Sequence, residues 1–173
     1  MFILDNNVLS HAFKNIKIDS FPTFWYSLEN LIRNRYVISS REVLRELQGF
    51  FVMSGKSDND AVSKWLNDHK FMFLTPTQNE CKIVADIFSK PHFQQLIKKR
   101  SILTGNPEAD VFILAQAIAR KATVVTFEEF KKNGSKIPNV CIDYHVDFIN
   151  GDEFFKYVNN HFNSELKDEF FGA

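Results

Sequence analysis

The sequence predicts an α/β fold, a parallel sheet with helices on its faces, and three observations predict it. Short apolar runs of strand type stand at Phe2–Leu4, Tyr36–Ile38, Phe71–Leu74, Thr123–Thr126 and Val140–Ile142. Each is separated from the next by at least one stretch of helical periodicity, and that alternation implies crossovers and parallel pairing. The length of 173 residues suits one domain with a full core and is short for two, so residues 1–173 read as a single domain.

Taken in order, the first run ends at Asp5 and a helix follows from near Asn7. Trp25 lies on the next helical pattern and Trp65 on a later one, where core packing is the default for both. After the second run, Ser39-Ser40-Arg41-Glu42 reads as a capping box, with Val43, Leu44, Leu47 and Phe51 at helical spacing behind it. A loop is expected around Ser54–Asp58. Thr77-Gln78-Asn79-Glu80 is a second capping box, backed by Cys81, Val84, Ile87 and Phe88. Thr104–Pro107 reads as a loop, and Asn106-Pro107-Glu108 supplies an N-cap, a first-turn proline and an acid at the positive helix end. Val111, Leu114, Ala115 and Ile118 continue that helix. A loop spans Lys131–Pro138 with Asn133-Gly134 as its turn signal. From about Asp152 a final amphipathic helix places Phe154, Val158, Phe162, Leu166 and Phe170 four apart. Such a stripe packs on its own domain or docks a twin subunit or a partner peptide.

Composition narrows the function. Lys+Arg and Asp+Glu are equal at 21 each, so no global basic field draws in nucleic acid, and a polyanion must be held by local patches or by metal. Cys81 and Cys141 lie outside any metal-ligand spacing and there is no secretory start, which predicts an intracellular, cytoplasmic protein with reduced thiols. No apolar run approaches the roughly 20 residues of a membrane span. The 19 phenylalanines fall on core and helix faces. His11, His69, His92, His145 and His161 show no paired ligand spacing, and no GxSxG, HExxH or Walker glycine loop is present.

Four carboxylates stand beside apolar runs: Asp5, Glu46, Asp110 and Glu128. Two carboxylates about 4 Å apart repel by roughly 4 kcal/mol at an effective dielectric of about 20, so a cluster of them needs protons or divalent cations. Oxygen-only ligands suit magnesium or manganese, and those ions suit phosphate ester chemistry. Each acid also has a plainer reading. Asp5 can cap the first helix. Glu46 shares a helix face with Glu42, the capping acid, and can pair with Arg41 or Arg45. Asp110 opens an almost wholly apolar helix, where Glu108 serves the helix dipole equally well. Glu128 follows a strand end with Glu129 as its rival. Asn7 can add an amide oxygen or orient Asp5, Thr126 can bond a ligand or cap a turn, and Lys98, Lys99 and Arg100 can track phosphates or form a solvated turn.

The order Phe2-Ile3-Leu4-Asp5-Asn6-Asn7-Val8-Leu9, Ile38-Ser39-Ser40 leading to Glu46-Leu47, Ala109-Asp110, then Val124-Val125-Thr126 resembles the PIN-domain nucleases, including the VapC-type toxins. Phe21-Pro22-Thr23-Phe24-Trp25 and Lys136-Ile137-Pro138-Asn139-Val140-Cys141 resemble a PIN-like bacterial branch of unknown function. The resemblance spans roughly residues 2–150. It implies a three-layer α/β/α fold with a central parallel sheet, and Asp5, Glu46 and Asp110 as acids around one or two Mg2+ or Mn2+ ions. Glu128 is implied as a fourth, where many members place Asp or Asn. Asn6 departs from the usual threonine without removing a ligand. The implied activity is a metal-dependent endoribonuclease acting on RNA. The resemblance extends to the toxin role of a type II pair with an antitoxin partner, and a homodimer is what the C-terminal stripe would build if it docks a twin subunit. The alternative is a catalytically weak scaffold that binds a protein partner or RNA, and a small phosphatase is disfavoured by the lack of an Asp-x-Asp pair.

Overall fold

The computed structural model describes residues 1–52, 59–96 and 109–171. Among them five strands form one all-parallel sheet in the order β3-β2-β1-β4-β5. The strands are β1 Phe2–Leu4, β2 Val37–Ser40, β3 Phe73–Leu74, β4 Thr123–Thr126 and β5 Phe148–Asn150. The helices are α1 Asn6–Asn15, α2 Pro22–Arg33, α3 Arg41–Leu47, α4 Asn59–Asp68, α5 Gln78–Ser89, α6 Ala109–Arg120, α7 Ile137–Asp143 and α8 Gly151–Phe171. Together they make the parallel sheet with helices on its faces that the alternating pattern predicts, in the three-layer α/β/α arrangement that the resemblance implies. The loops expected at Ser54–Asp58 and Thr104–Pro107, the cap at Asn106-Pro107-Glu108, and the basic run Lys98, Lys99 and Arg100 lie outside the described residues.

β1 is the central strand, with Ile3 and Leu4 fully buried. It registers Phe2 against Val37 on one side and against Thr123 on the other. Burial on both faces explains why the inner strands read as continuous apolar runs and do not alternate. α6 packs over β1, β2 and β4 and against α5, and its Val111, Ile113, Leu114 and Ala117 are buried. On other flanks α2 packs on α8 and on β2, while α1 packs on α3 and β4. An aromatic cluster fills the space beside α1, where Phe13 stacks on Trp25 and meets Trp65 edge-on, all three rings buried. Both tryptophans are therefore core residues.

Three helix-to-strand turns share one design. Tyr36 N–H bonds Leu31 C=O, Ala122 N–H bonds Ala117 C=O, and Val146 N–H bonds Cys141 C=O, each closing a six-residue loop. The residue before each donor is Arg35, Lys121 or His145, at φ 61°, 52° and 53°. This is the Schellman stop, with a side chain where glycine is usual.

The expected strand at Val140–Ile142 is a correction. Those residues belong to α7, and the fifth strand lies later, at Phe148–Asn150. Pro138 in the first turn of α7 presets its φ, and Ile137, Val140 and Cys141 bury one helical face. A three-residue apolar run carries no period of its own, so strand and helix look alike there. β2 also starts later than expected, since Tyr36 is exposed and outside the strand. At its end Ser40, not Ser39, is the N-cap of α3, accepting from Glu42 N–H. The Thr77/Glu80 box forms as predicted, with Glu80 Oε2 accepting from Thr77 N–H at 2.7 Å. Both cysteines are free, Cys81 exposed and Cys141 buried.

In α8, Phe154 and Val158 are fully buried, and Ser27 Oγ–H donates to Val158 C=O at 2.7 Å. The first half of the stripe thus packs on its own domain, while the side chains of Phe162, Leu166 and Phe170 lie outside the described residues. Among the described residues no helix is long and apolar enough to cross a membrane.

Candidate active site

From β1 the chain winds outward through β2 and β3, then returns to lay β4 and β5 on the other side of β1. The connections leaving β1 and β4 diverge, which opens a crevice at their carboxyl ends, the usual ligand position in open parallel sheets. Asp5 follows the last residue of β1 and Thr126 ends β4. Asp5 N–H donates to Val125 C=O at 3.0 Å, so the ladder runs one step past Leu4 and fixes Asp5 beside Thr126.

Thr126 is 1% exposed, and its hydroxyl organises the crevice. It donates to Asp5 Oδ2 at 2.8 Å and accepts from Asn7 Nδ2 at 3.1 Å and from Glu128 N–H at 3.0 Å. One proton and two lone pairs are thereby all used. Asn7 Oδ1 accepts from Phe127 N–H at 3.0 Å, so Asn7 ties α1 to the end of β4 and reaches Asp5 through Thr126.

Asp5 occupies the N-cap position of α1, yet its side chain makes no capping bond. It is 3% exposed, and burial is the main cause that pushes its carboxyl up to about 7. The negative charges of Asp110 and Glu128 push in the same direction, and the Thr126 bond opposes them. Asp110, in the first turn of α6, is half-buried and has the stronger effect of the two.

The two glutamates of α3 have separate partners. Buried Glu42 takes Ser40 Oγ–H at 2.7 Å and both neighbouring arginines, Arg41 and Arg45, on its Oε1. Glu46 accepts from Asn6 Nδ2 at 2.7 Å on Oε2 and from Ala109 N–H at 3.3 Å on Oε1. Glu128 is engaged through both oxygens: Lys136 Nζ donates to Oε1 at 2.5 Å, and Ile137 N–H, opening α7, donates to Oε2 at 2.9 Å. It fixes the loop before α7 while adding charge near Asp5. Glu129 is exposed.

Among the described residues no group of three or more His, Cys, Asp or Glu side chains is arranged to hold a metal ion. Two histidines pack on aromatic rings: His69 stacks on Trp65, and His11 lies against Phe127. Sequence reasoning missed Asn6 and Lys136 as partners of two of the acids. The first bond spans 40 residues and leaves no spacing signal, and the second crosses a loop whose path the sequence does not reveal. It also missed Gly151, where a Cβ would stand 2.4 Å from the Phe127 ring, so that glycine lets α8 start against the strand end.

No curated protein sequence matches the chain. Solved structures share its fold, three among them as follows. The structure of FitAB bound to an IR36 DNA fragment gives a TM-score of 0.55 at 18% identity, covering 87% of this chain and 95% of that one. FitAcB from Neisseria gonorrhoeae gives 0.54 at 20% identity, covering 87% and 98%. VapBC2 from Rickettsia felis, bound to a DNA fragment from its promoter, gives 0.53 at 20% identity, covering 86% and 97%. These likenesses establish the PIN-like α/β/α fold over most of the chain. A family profile matches residues 2–162, and the chain therefore belongs to the family described as Domain of unknown function (DUF4411).

Proposed function

We propose that this protein is a metal-dependent endoribonuclease that hydrolyses RNA phosphodiesters, acting as the toxin of a type II toxin–antitoxin pair. The observation that carries the reading is the buried Asp5 carboxyl at the switch point, fixed by Thr126 and held near Asp110. A carboxylate made costly by burial and by a second acid is relieved by a divalent cation. The donors are all hard oxygens, and magnesium commonly takes one or two carboxylates and keeps waters or phosphate oxygens in its other positions. Asp5 and Asp110 fit that demand as direct ligands of Mg2+ or Mn2+. Bound there, the ion supplies Lewis-acid polarisation of the phosphate and lowers the pKa of a nearby water.

The chain's own residues do the rest. Thr126 and Asn7 fix the rotamer of Asp5, so its geometry is set before an ion or substrate arrives. Glu46 and Glu128, already engaged by protein donors, flank the pair and act on it through bonded neighbours or water. Lys98, Lys99 and Arg100 are assigned to the RNA backbone, where they add affinity without sequence choice. No histidine base or covalent nucleophile is required. The toxin assignment draws its support from the shared fold of FitAB and VapBC2.

The test is RNA cleavage in manganese by the native protein and by Asp110→Asn. Loss of cleavage in a variant that still folds supports the reading, and undiminished cleavage overturns it. The scaffold reading is favoured by one observation, the engagement of Glu46 and Glu128 by protein donors. Calorimetry bears on the choice, since no manganese binding to the folded native protein would favour the scaffold.

A further inference from the structure

We infer that Glu46 is a positioning residue, a clamp that sets the gap between Asp5 and Asp110, and not a third ligand of the ion; this rests on the metal-dependent reading above. Glu46 stands on α3, a helix that carries neither acid. Its Oε2 accepts from Asn6 Nδ2 at 2.7 Å, and its Oε1 accepts from the Ala109 amide at 3.3 Å. Asn6 is the residue after Asp5, and Ala109 is the residue before Asp110. One planar carboxylate therefore bonds the first turns of α1 and α6 at positions directly adjacent to the two acids.

Both ends of the clamp are themselves held. Asn6 Oδ1 accepts from Ser10 Oγ–H at 2.9 Å, which orients the amide so that its N–H2 faces Glu46. Ala109 is fully buried, so the backbone at the start of α6 has little room to shift. The neighbouring acid on α3, Glu42, is the one that Arg41 and Arg45 bond. Two bonds to an ionised acceptor are stronger than neutral ones. The clamp opposes a real force, because two like carboxylates tend to move apart when no cation lies between them. Each oxygen of Glu46 thus meets an N–H that sits directly beside one of the two acids.

The experiment is manganese calorimetry on the native protein, Asn6→Ala, Glu46→Gln, the double variant Asn6→Ala/Glu46→Gln, and the exchange Asn6→Asp/Glu46→Gln, each paired with metal-free thermal unfolding. Asn6→Ala leaves the Glu46 carboxylate untouched, yet it is expected to weaken manganese binding about 10-fold, the usual loss when a ligand's support is removed. Glu46→Gln should lose a similar amount, and combining it with Asn6→Ala should add little, as residues acting as one unit do. The exchange keeps the bridge with its polarity reversed: the amide introduced on α3 donates to the carboxylate introduced on α1 while still accepting from Ala109 N–H. It should bring affinity back toward native. Native affinity in Asn6→Ala alongside a large loss in Glu46→Gln would overturn the clamp and make Glu46 a ligand. Losses that simply add, or an exchange no better than Glu46→Gln, would overturn it too. If neither the native protein nor Asp110→Asn binds manganese, the metal reading fails by itself. The bridge is then judged by unfolding: additive losses of melting temperature in Asn6→Ala and Glu46→Gln refute it, and non-additive losses uphold it.

Discussion

Thr126 concentrates more of the site in one atom than any other residue described, since its hydroxyl joins Asp5, Asn7 and the backbone of Glu128. Thr126→Val keeps the shape and deletes the hydroxyl, leaving a buried carboxyl and two N–H donors without that partner. Urea denaturation should show a loss of about 2–4 kcal/mol, while Thr126→Ser should stay within about 1 kcal/mol of native. Asp5 yields a second prediction through its protonation. Its folded pKa of about 7 lies above its ordinary value of 3.8, so the folded state binds the proton more tightly than the unfolded state. Below 3.8 both states are protonated and no penalty exists; stability falls as pH rises from there, and the full penalty is in place above about 7. A gap of about 3 units corresponds to on the order of 4 kcal/mol at most. Metal-free protein followed by urea melts should therefore lose stability between about pH 4 and 7 in excess of Asp5→Asn, and Asp5→Asn should be the more stable protein at about pH 8. Equal pH profiles for the two would refute the assignment. Asp5 was legible in the sequence because an acid ending an apolar strand is conspicuous. Its partner network was not, because a threonine hydroxyl that bonds three groups reads locally as one more β-branched residue at a strand end.

Among the elements, helix starts are easier to read than helix ends. Ser40, Thr77 and Pro138 announce α3, α5 and α7 by their own chemistry, and the sequence predicts two of those starts, one of them displaced by a residue. The ends at Arg35, Lys121 and His145 carry no glycine, although each adopts the left-handed backbone that glycine favours. Without that signal the boundary between α7 and β5 leaves no trace in the sequence, and the apolar run Val140–Ile142 mimics the strand that Phe148–Asn150 provides. The same mismatch predicts a gain. A side chain in the left-handed region costs roughly 1–2 kcal/mol, part of which glycine returns as unfolded-state entropy. Lys121 is exposed, so Lys121→Gly should raise stability by about 1 kcal/mol and Lys121→Ala should not. Thermal unfolding of the two variants checks it, and a lower melting temperature for the glycine variant would show that the Lys121 side chain contributes more than its backbone strain.

For the molecule as a whole, the strand order is what turns separate motifs into a site. Asp5 and Thr126 stand 121 residues apart in the chain. Even so, β1 and β4 pair directly, and α6 packs across both. The alternation of runs predicts a parallel sheet but not its order, since any run is free to neighbour any other until side chains choose. The acids at Asp5 and Asp110 therefore become one candidate site only through the topology. An ion held between them ties β1 to α6 in the folded state and finds no such pair in the unfolded chain. Manganese at about 100 times its dissociation constant should then stabilise the fold by about 2.7 kcal/mol. For a chain of this length that is a rise in melting temperature of about 5–10 °C. Measured at about pH 8, where Asp5 is largely ionised, the rise should vanish on adding EDTA and be absent in Asp110→Asn. A shift that persists in Asp110→Asn would place the ion elsewhere, and no shift in the native protein at saturating manganese would mean that the crevice does not hold it, leaving its buried acid to be explained by a partner's cation.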